Sequence, residues 1–84
     1  MNSYYSEKEL SSLGLQSYGD NVKISRYAHF YYPNQISIGD NVRIDDFCIL
    51  SGNVTLGSNI HISAYVALYG SMGIEMEDYT GVSP

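Results

Sequence analysis

The sequence predicts an all-β fold of the solenoid class, and three repeated patterns support this prediction. Aliphatic or aromatic residues recur every six positions along most of the 84-residue chain. Small or β-branched residues follow nearly all of them four positions later. A corner motif returns at intervals of 20, 18 and 20 residues. Because a six-residue period fits neither an α-helix nor an alternating strand, we expect coils with three short flat sides.

The first column contains large apolar residues that we expect to point into the solenoid. The six-residue spacing is kept within each of three stretches, and each break between stretches adds two residues. The breaks fall at residues 32–35 and 69–73, whose Pro, Asn and Gly residues are typical of turns. The members of this column are Tyr18, Ile24, Phe30, Ile38, Ile44, Leu50, Leu56, Ile62, Leu68, Met76 and Val82.

The second column contains smaller residues that we also expect to face inward. Asn34 is its exception, and it lies in the first break. Because both columns agree over so many positions, one hexapeptide per flat side and 18 residues per coil is the predicted register. The members are Val22, Ala28, Val42, Cys48, Val54, Ile60, Val66, Met72 and Thr80.

The corner motif predicts where successive coils bend. Gly-Asp-Asn begins at Gly19 and again at Gly39, Gly-Ser-Asn begins at Gly57, and a fourth member begins at Glu77. We expect glycine and asparagine here because both tolerate a positive φ at a sharp corner. Since stacked coils lie about 4.8 Å apart, the asparagine amides of successive coils can form a ladder.

The first residues of the chain do not repeat, and they predict a short helix. Ser6 and Glu9 have the spacing of a capping box, in which each side chain bonds to the other residue's backbone amide. Leu10 and Leu13 share one helical face, and Gly14 is a typical stop. We expect the helix at residues 6–13 to cover the open end of the solenoid, the alternative being a frayed tail.

Length, charge and cysteine content set the limits of function. The 84 residues fit one small domain, which we divide into a lead-in at 1–17 and about three and a half coils at 18–84. A net charge of −5 without a basic patch argues against nucleic-acid binding. The single cysteine, Cys48, allows no internal disulfide, and no Cys/His cluster suggests a metal. Lacking a signal peptide or long apolar run, the chain is expected to be cytoplasmic without membrane insertion.

Two hexapeptides carry a resemblance to a known family. Ile38-Gly-Asp-Asn-Val-Arg43 and Leu56-Gly-Ser-Asn-Ile-His61 resemble the repeats of the bacterial transferase hexapeptide family. The resemblance covers roughly residues 4–84, and it implies a left-handed parallel β-helix, a handedness that the spacing alone does not show. The segment GSNIHI and the predicted helix are most similar to the sugar O-acetyltransferase branch.

The resemblance also implies an activity and partners. Members of this branch are homotrimers that bind acetyl-CoA in the groove between neighbouring β-helices, and a histidine acts as general base on a sugar hydroxyl or amine. An imidazole can take the proton of such a nucleophile as it attacks the thioester. Because family members have more coils and a loop bearing that histidine, we expect this chain to be an amino-terminal portion, inactive by itself.

His61 is the catalytic candidate within the chain. It is the sixth residue of its hexapeptide, so its side chain is expected to point outward above Arg43 and Lys23. Such a basic column can meet a CoA phosphate or an acidic group of a neighbouring subunit, or simply form a solvated ladder. His29 has the same position on the next side and is the lesser candidate. Neither matches the family's catalytic histidine.

Aromatic residues supply the other candidate sites. Tyr69 and Ser71, in the second break, lie where the resembling enzymes contact acceptor sugars, and they are the substrate-binding candidates. Tyr27, Phe47 and Tyr65 share one position of successive coils and predict an outer aromatic column. That column suits subunit packing, with sugar stacking as the alternative.

Two further features have structural interpretations. We interpret Asp45 and Asp46 as a solvated corner, because a carboxylate pair without further ligands is a weak metal site. Cys48 falls in the small inward column with Ala28 and Val66, which predicts an inert packing residue.

Three other functions are considered. A carbonic anhydrase of the hexapeptide type needs three histidines around a metal, and the chain has two. An ice-binding face needs repeated Thr-x-Thr, and only Thr55 and Thr80 are present. A non-catalytic trimeric β-solenoid that serves structure or assembly remains the alternative to an acetyltransferase.

Overall fold

The computed structural model of the chain describes residues 3–83. Within them lie nine β-strands, the helix α1 (Glu7–Ser11) and a short 3-10 helix (Pro33–Gln35). The division at residues 17 and 18 stays a prediction, and its outer limits at residues 1, 2 and 84 lie outside the described part. The strands are β1 (Ser17–Tyr18), β2 (Lys23–Ile24), β3 (His29–Tyr31), β4 (Ile36–Ile38), β5 (Val42–Ile44), β6 (Ile49–Leu56), β7 (Ile60–Ile62), β8 (Ala67–Met76) and β9 (Gly81–Val82).

The strands form the three flat sides of a parallel solenoid. One side consists of β2, β5, β7 and β9, paired in that order. A second side consists of β1, β4 and the later halves of β6 and β8. The third consists of β3 and the earlier halves of β6 and β8, which therefore bend around the corner between two sides. In β4, β5 and β7 the first and third residues are buried, as the alternating sequence requires.

The coil register agrees with the sequence prediction. Tyr18 pairs with Ile38, Ile38 with Leu56, and Leu56 with Met76, at the predicted steps of 20, 18 and 20 residues. Each coil therefore places its inward side chains directly over those of the next coil. The core formed in this way contains Leu10, Val22, Ile24, Ala28, Ile36, Ile38, Val42, Ile44, Cys48, Leu50, Val54, Leu56, Ile60, Ile62 and Val66.

The small inward column ends earlier than predicted. Met72 was expected inside, yet 96% of it is exposed. Gly70 and Ile74 of β8 pair with residues of β6 that are only two positions apart, so three residues of β8 stand opposite one of β6. This bulge pushes Met72 outward. Thr80 is exposed as well, because its hydroxyl donates to the carbonyl of Glu77 (2.9 Å) instead of facing the core.

The asparagine ladder is present at the predicted corner. The amide of Asn21 donates to the side-chain oxygen of Asn41 (2.8 Å), and that of Asn41 donates to Asn59 (3.3 Å). These asparagines have φ values of 55°, 56° and 60°, which confirms that they supply the left-handed conformation. The glycines of the corner motif do not adopt a positive φ, so the expectation of that conformation at these glycines is wrong. At Gly39 the reason is space, because a Cβ would lie 2.6 Å from the carbonyl oxygen of Gly57.

A second polar ladder runs beside the asparagines. The carboxylate of Asp40 accepts from the backbone amide of Asp20 (2.8 Å), and the hydroxyl of Ser58 accepts from that of Asp40 (2.9 Å). Asp78 repeats the contact with the amide of Ser58 (2.8 Å). Each corner therefore satisfies the amide of its neighbour, and the two ladders together hold the coils in register.

The predicted helix is confirmed, with slightly shorter bounds. The Ser6 hydroxyl accepts from the Glu9 amide (3.2 Å), and the Glu9 carboxylate accepts from the Ser6 amide (2.9 Å), which completes the capping box. Leu10 is 2% exposed and belongs to the core. Gly14 follows with a φ of 86°. The helix therefore covers the first coil and is not a frayed tail.

An ion pair joins this helix to the first coil. The guanidinium of Arg26 donates to both carboxylate oxygens of Glu9 (2.5 and 2.6 Å), and it lies 5.6 Å from the centre of the Tyr5 ring. Hydrogen bonds from Arg26 and from the Ser6 backbone lower the pKa of Glu9 to about 2. Glu9 thus serves both the helix cap and the attachment of the helix to the solenoid.

Candidate functional site

The two breaks in the repeat meet at one corner and enclose a pocket. Its volume is about 320 Å³, which is at the lower end of the range for small-molecule sites. We call it the tyrosine pocket. It is lined by Tyr32, Gln35, Ser51, Gly52, Tyr69, Gly70 and Ser71.

One wall of the tyrosine pocket is built by the first break. Tyr32 has a φ of 55°, Pro33 begins the 3-10 helix, and the backbone amide of Gln35 donates to the carbonyl of Tyr32 (2.9 Å). A left-handed conformation is costly for a bulky residue and persists only where its surroundings impose it. The rigid turn therefore holds both Tyr32 and Gln35 at the pocket edge.

The opposite wall comes from the paired strands β6 and β8. Ser51 pairs with Tyr31 on one side and with Tyr69 on the other, and Gly52 pairs with Gly70. Ser51 and Tyr69 therefore sit side by side on neighbouring coils. The second break then carries Ser71 past the end of this pairing, where the β8 bulge begins.

The polar groups of the tyrosine pocket are available to a ligand. Among the described residues, the side chains of Tyr32, Gln35, Tyr69 and Ser71 make no hydrogen bond to protein. The seven lining residues include no charged side chain. The pocket can therefore stack a flat or apolar ring and hydrogen-bond to its edge, but it cannot neutralise a phosphate or take a proton at neutral pH.

Sequence reasoning found part of this site. Tyr69 and Ser71 were expected to bind substrate, and the structure brings both to the pocket, which leaves that role a prediction. It did not find Tyr32, Gln35 or Ser51. The available signal was that both two-residue breaks fall at the same corner of their coils, so their residues have to meet.

His61 lies on another side, in a charged cluster. Its Nε2 is 2.8 Å from one oxygen of Asp45, and Nε of Arg43 donates to the other oxygen (2.8 Å). Partial burial raises the pKa of Asp45, but hydrogen bonds from Arg43 and His61 outweigh it and hold that pKa below its usual value. His61 does stack above Arg43 and Lys23, as predicted. The column is nevertheless not purely basic, because Asp45 pairs with two of its members.

The interpretation of Asp45 and Asp46 as a solvated corner is wrong. Asp45 is partly buried and bound to both Arg43 and His61. Asp46 accepts a short hydrogen bond from the fully buried Ser25 hydroxyl, which in turn accepts from the Tyr27 amide. Each of these carboxylates pairs with a polar side chain of a neighbouring coil. Such pairing is needed because polar groups at a turn, outside the strand pairing, require other hydrogen-bond partners.

The aromatic column is present on the outside of the same corner. The ring of Phe47 lies 5.9 Å from that of Tyr27 and 5.3 Å from that of Tyr65, centre to centre. Between 49% and 71% of each residue is exposed. Phe47 and Tyr65 have φ values of 63° and 67°, so bulky residues occupy positions that favour Gly or Asn.

The remaining candidates are structural. Cys48 is buried, its thiol donates to the carbonyl of Ser63 (3.0 Å), and burial raises its pKa, all of which fit a packing residue. His29 is exposed beside Ile49, as its register predicted. Residues 3–83 contain no group of three His, Cys, Asp or Glu side chains placed to hold a metal. In the same span, no helix is long and apolar enough to cross a membrane.

Comparison with known families identifies the repeat. The model of the bacterial transferase hexapeptide (six repeats) matches residues 35–70. The dTDP-4-amino-4,6-dideoxy-D-glucose acyltransferase of Escherichia coli is 43% identical over 83 residues, which cover 95% of this chain and 43% of that protein. These matches confirm the resemblance to the hexapeptide-repeat acyltransferases.

Solved structures agree with this result. AntD, an N-acyltransferase from Bacillus cereus solved with dTDP and 3-hydroxybutyryl-CoA, is 61% identical with a TM-score of 0.94, over 96% of this chain and 44% of AntD. An AntD variant with dTDP-4-amino-4,6-dideoxyglucose and coenzyme A is 57% identical with a TM-score of 0.88, over 96% and 47%. The solenoid has the left-handed β-helix fold of these acyltransferases. The chain spans less than half the length of the relatives that it matches.

Proposed function

We propose that this chain is the amino-terminal part of an acyl-CoA-dependent N-acyltransferase whose acceptor is a nucleotide-linked amino sugar. One observation carries the proposal. Two relatives from different bacteria, 43% and 61% identical over nearly the whole chain, agree on an acyltransferase linked to dTDP. That agreement favours an amine acceptor over the hydroxyl acceptor of the O-acetyltransferase branch.

The reaction needs a neutral amine close to a thioester. The amine nitrogen attacks the thioester carbon, the new C–N bond forms, the C–S bond breaks, and the CoA thiol leaves after taking up a proton. The proton lost by the amine goes to a general base. Acetyl-CoA is the expected co-substrate, and the AntD complex extends the possible acyl groups to 3-hydroxybutyryl. The transfer itself requires no metal.

His61 is the candidate base within this chain. Because Nε2 faces Asp45 at 2.8 Å, only Nδ1 remains to accept a proton from a substrate. Asp45 would stabilise the imidazolium formed in that step. In this role, His61→Gln placed in a chimaera with the missing coils of AntD lowers kcat by at least about 100-fold while KM stays similar. His29→Gln is the matched control, since His29 is exposed and bonds to no carboxylate among residues 3–83. An unchanged kcat in His61→Gln removes His61 from the reaction.

The acceptor binds at the tyrosine pocket in this proposal. Tyr69 offers a ring and a hydroxyl, Ser71 offers a hydroxyl, and both are exposed at the pocket mouth. Aromatic faces commonly bind flat or apolar rings, and hydroxyls orient them. The proposed enzyme is a cytoplasmic homotrimer that prepares a sugar for a surface polysaccharide. The aromatic column of Tyr27, Phe47 and Tyr65 is the proposed subunit contact.

A chimaera tests the activity. The matching coils of AntD are replaced by this chain, which the 61% identity and TM-score of 0.94 make feasible. Release of CoA is followed with acetyl-CoA and dTDP-4-amino-4,6-dideoxyglucose, beside the 84-residue chain alone. We expect turnover by the chimaera with the amino sugar, none with dTDP-glucose, and none by the chain alone.

Two results would contradict the proposal. Acylation of dTDP-glucose at a hydroxyl would replace an N-acyltransferase by an O-acyltransferase. A folded chimaera that binds neither acetyl-CoA nor the nucleotide sugar would favour the non-catalytic module instead.

A further inference from the structure

We propose that the tyrosine pocket binds the pyrimidine base of the acceptor nucleotide, with Gln35 reading the imide edge of the base. This inference rests on the proposed function, since it assumes a nucleotide-linked acceptor. It assigns the pocket to one end of that acceptor, the end away from the reacting amine. It also makes Gln35 the residue that hydrogen-bonds to the base.

The pocket chemistry excludes the other parts of the acceptor. Strong binding of a diphosphate generally uses cationic side chains, and the seven lining residues carry no charge. The reacting amine needs a base within hydrogen-bond reach, and no carboxylate or imidazole lines the pocket. What remains of a nucleotide sugar is a neutral, flat heterocycle and its pentose.

The two tyrosines suit such a heterocycle. Tyr32 and Tyr69 come from different coils, and 67% and 64% of these residues are exposed beside one cavity. Stacking of a base on an aromatic ring contributes about 1–3 kcal/mol. The backbone of each tyrosine is fixed, Tyr32 by the left-handed turn before Pro33 and Tyr69 by its pairing with Ser51. Only the side-chain torsions therefore have to be ordered when a base binds.

Gln35 supplies the complementary edge. Its side-chain amide has one acceptor oxygen and two donor hydrogens, and no described residue occupies them. Thymine presents an acceptor at O4 beside the donor N3–H. An amide can therefore accept from N3–H and donate to O4 at the same time. Adenine and cytosine pair an amine donor with a ring-nitrogen acceptor, which an amide can also match after its plane turns over, so the choice between bases is left to the binding test.

The cavity admits a single heterocycle, and the proposed acceptor, not the size of the cavity, selects a pyrimidine over the adenine of CoA. Its volume of about 320 Å³ is near the lower limit for a small-molecule site. The dTDP bound by AntD supplies a base of this kind. Adenine is the competing heterocycle, because CoA is the other nucleotide of the reaction, and it forms one arm of the test.

Binding to the purified chain tests the inference. The ligands are dTDP, UDP, ADP, CoA and dTDP methylated at N3 of the base, and dissociation constants are measured by NMR titration. We expect dTDP to bind most tightly. UDP, which lacks the 5-methyl group, should bind about fourfold more weakly. Methylation at N3 removes the proposed donor and should weaken dTDP binding about tenfold.

Variants then assign the effects to residues. Gln35→Leu keeps the size of the side chain and removes its amide, so dTDP binding weakens about tenfold and N3 methylation no longer matters. Tyr69→Ala weakens dTDP binding roughly 5- to 100-fold, whereas Tyr69→Phe keeps most of the affinity. Tyr79→Asn is the control, because Tyr79 is 80% exposed at another corner and lines no part of the pocket.

The outcomes separate this inference from the proposed function. The base assignment is overturned if N3 methylation weakens dTDP binding equally in the parent and in Gln35→Leu. It is also overturned if ADP or CoA binds more tightly than dTDP. Turnover by the chimaera in that case leaves the proposed function intact. Conversely, base binding with the expected Gln35 dependence but no acyl transfer overturns the proposed function alone. If the isolated chain proves unfolded by circular dichroism, the same ratios are measured as inhibition constants of these ligands against the chimaera.

Discussion

The first and last coils of the described chain differ in how their apolar side chains are covered. At the amino-terminal end, Leu10 of α1 and Ile24 of the first coil are 2% and 0% exposed. At the other end of the described chain, Ile74, Met76 and Val82 are only partly buried. Each coil of a solenoid contacts only its neighbours, so a terminal coil depends on an element outside the repeat for cover. The helix α1 is that element at the amino-terminal end.

This difference shows that the repeat by itself does not complete a core. Identical inward positions are fully buried in the middle coils and half-buried in the last described coil, although the sequence pattern is the same. Burial therefore depends on the neighbouring coil or cap, and the same substitution should cost different amounts at the two ends. Three measurements test whether the first and last described coils differ in this way.

The largest expected effect concerns the capping helix. Leu10→Ala removes a buried side chain that covers the first coil, and it should lower the free energy of unfolding by about 2–5 kcal/mol. Met76→Ala is the matched change at the other end and should cost less than half as much, because Met76 is only partly buried. Urea denaturation followed by circular dichroism measures both. Equal losses would show that the ends do not differ.

A smaller effect is expected at the glycine corners. Gly39→Ala places a Cβ 2.6 Å from the carbonyl oxygen of Gly57, so the coils have to shift, at about 1–3 kcal/mol. Gly81→Ala in the last described coil is the control, since its nearest contact would be an ordinary 3.7 Å. The midpoints of urea denaturation compare the two variants. A Gly39→Ala protein as stable as Gly81→Ala would contradict the close-approach explanation.

The smallest effect is a pH dependence at the covered end. Glu9 has its pKa lowered from 4.5 to about 2, mainly by Arg26. A carboxyl with a lowered pKa in the folded state stabilises the protein above its unfolded pKa, and this contribution is lost as the pH falls. Stability should therefore decline between about pH 4.5 and pH 2. Glu9→Gln keeps the capping geometry but removes the charge, so its thermal midpoint should fall less steeply over that range. Parallel slopes would count against the Arg26 ion pair.

Much of the candidate site could be placed from the sequence, and some of it could not. Tyr69 and Ser71 were singled out because they lie in the second break, where the resembling enzymes contact acceptor sugars. Gln35 was not singled out, because its role depends on the left-handed turn at Tyr32. The conformational propensities of individual residues do not predict that turn. Ser51 looks like any strand residue until the pairing with Tyr69 places it at the cavity.

The wrong expectations share one physical origin. Met72 has the spacing of an inward residue, but the β8 bulge turns it outward. Asp45 and Asp46 look like solvated corner residues, but neighbouring coils supply His61 and Ser25 as partners, and Arg43 of the same coil also binds Asp45. In each case the repeat pattern is present in the sequence, but contacts between coils determine where the side chain lies.

The sequence by itself determined the coil length, the inward columns, the asparagine ladder and the capping box. It could do so because a solenoid repeats one short local conformation, and stacking identical units preserves the register. Only the tertiary structure decided that two distant breaks enclose the tyrosine pocket, that Asp45 binds His61, and that the glycines make room for the next coil. Those features depend on distances between residues 16 to 39 positions apart, which the stacking of coils sets and no local pattern contains.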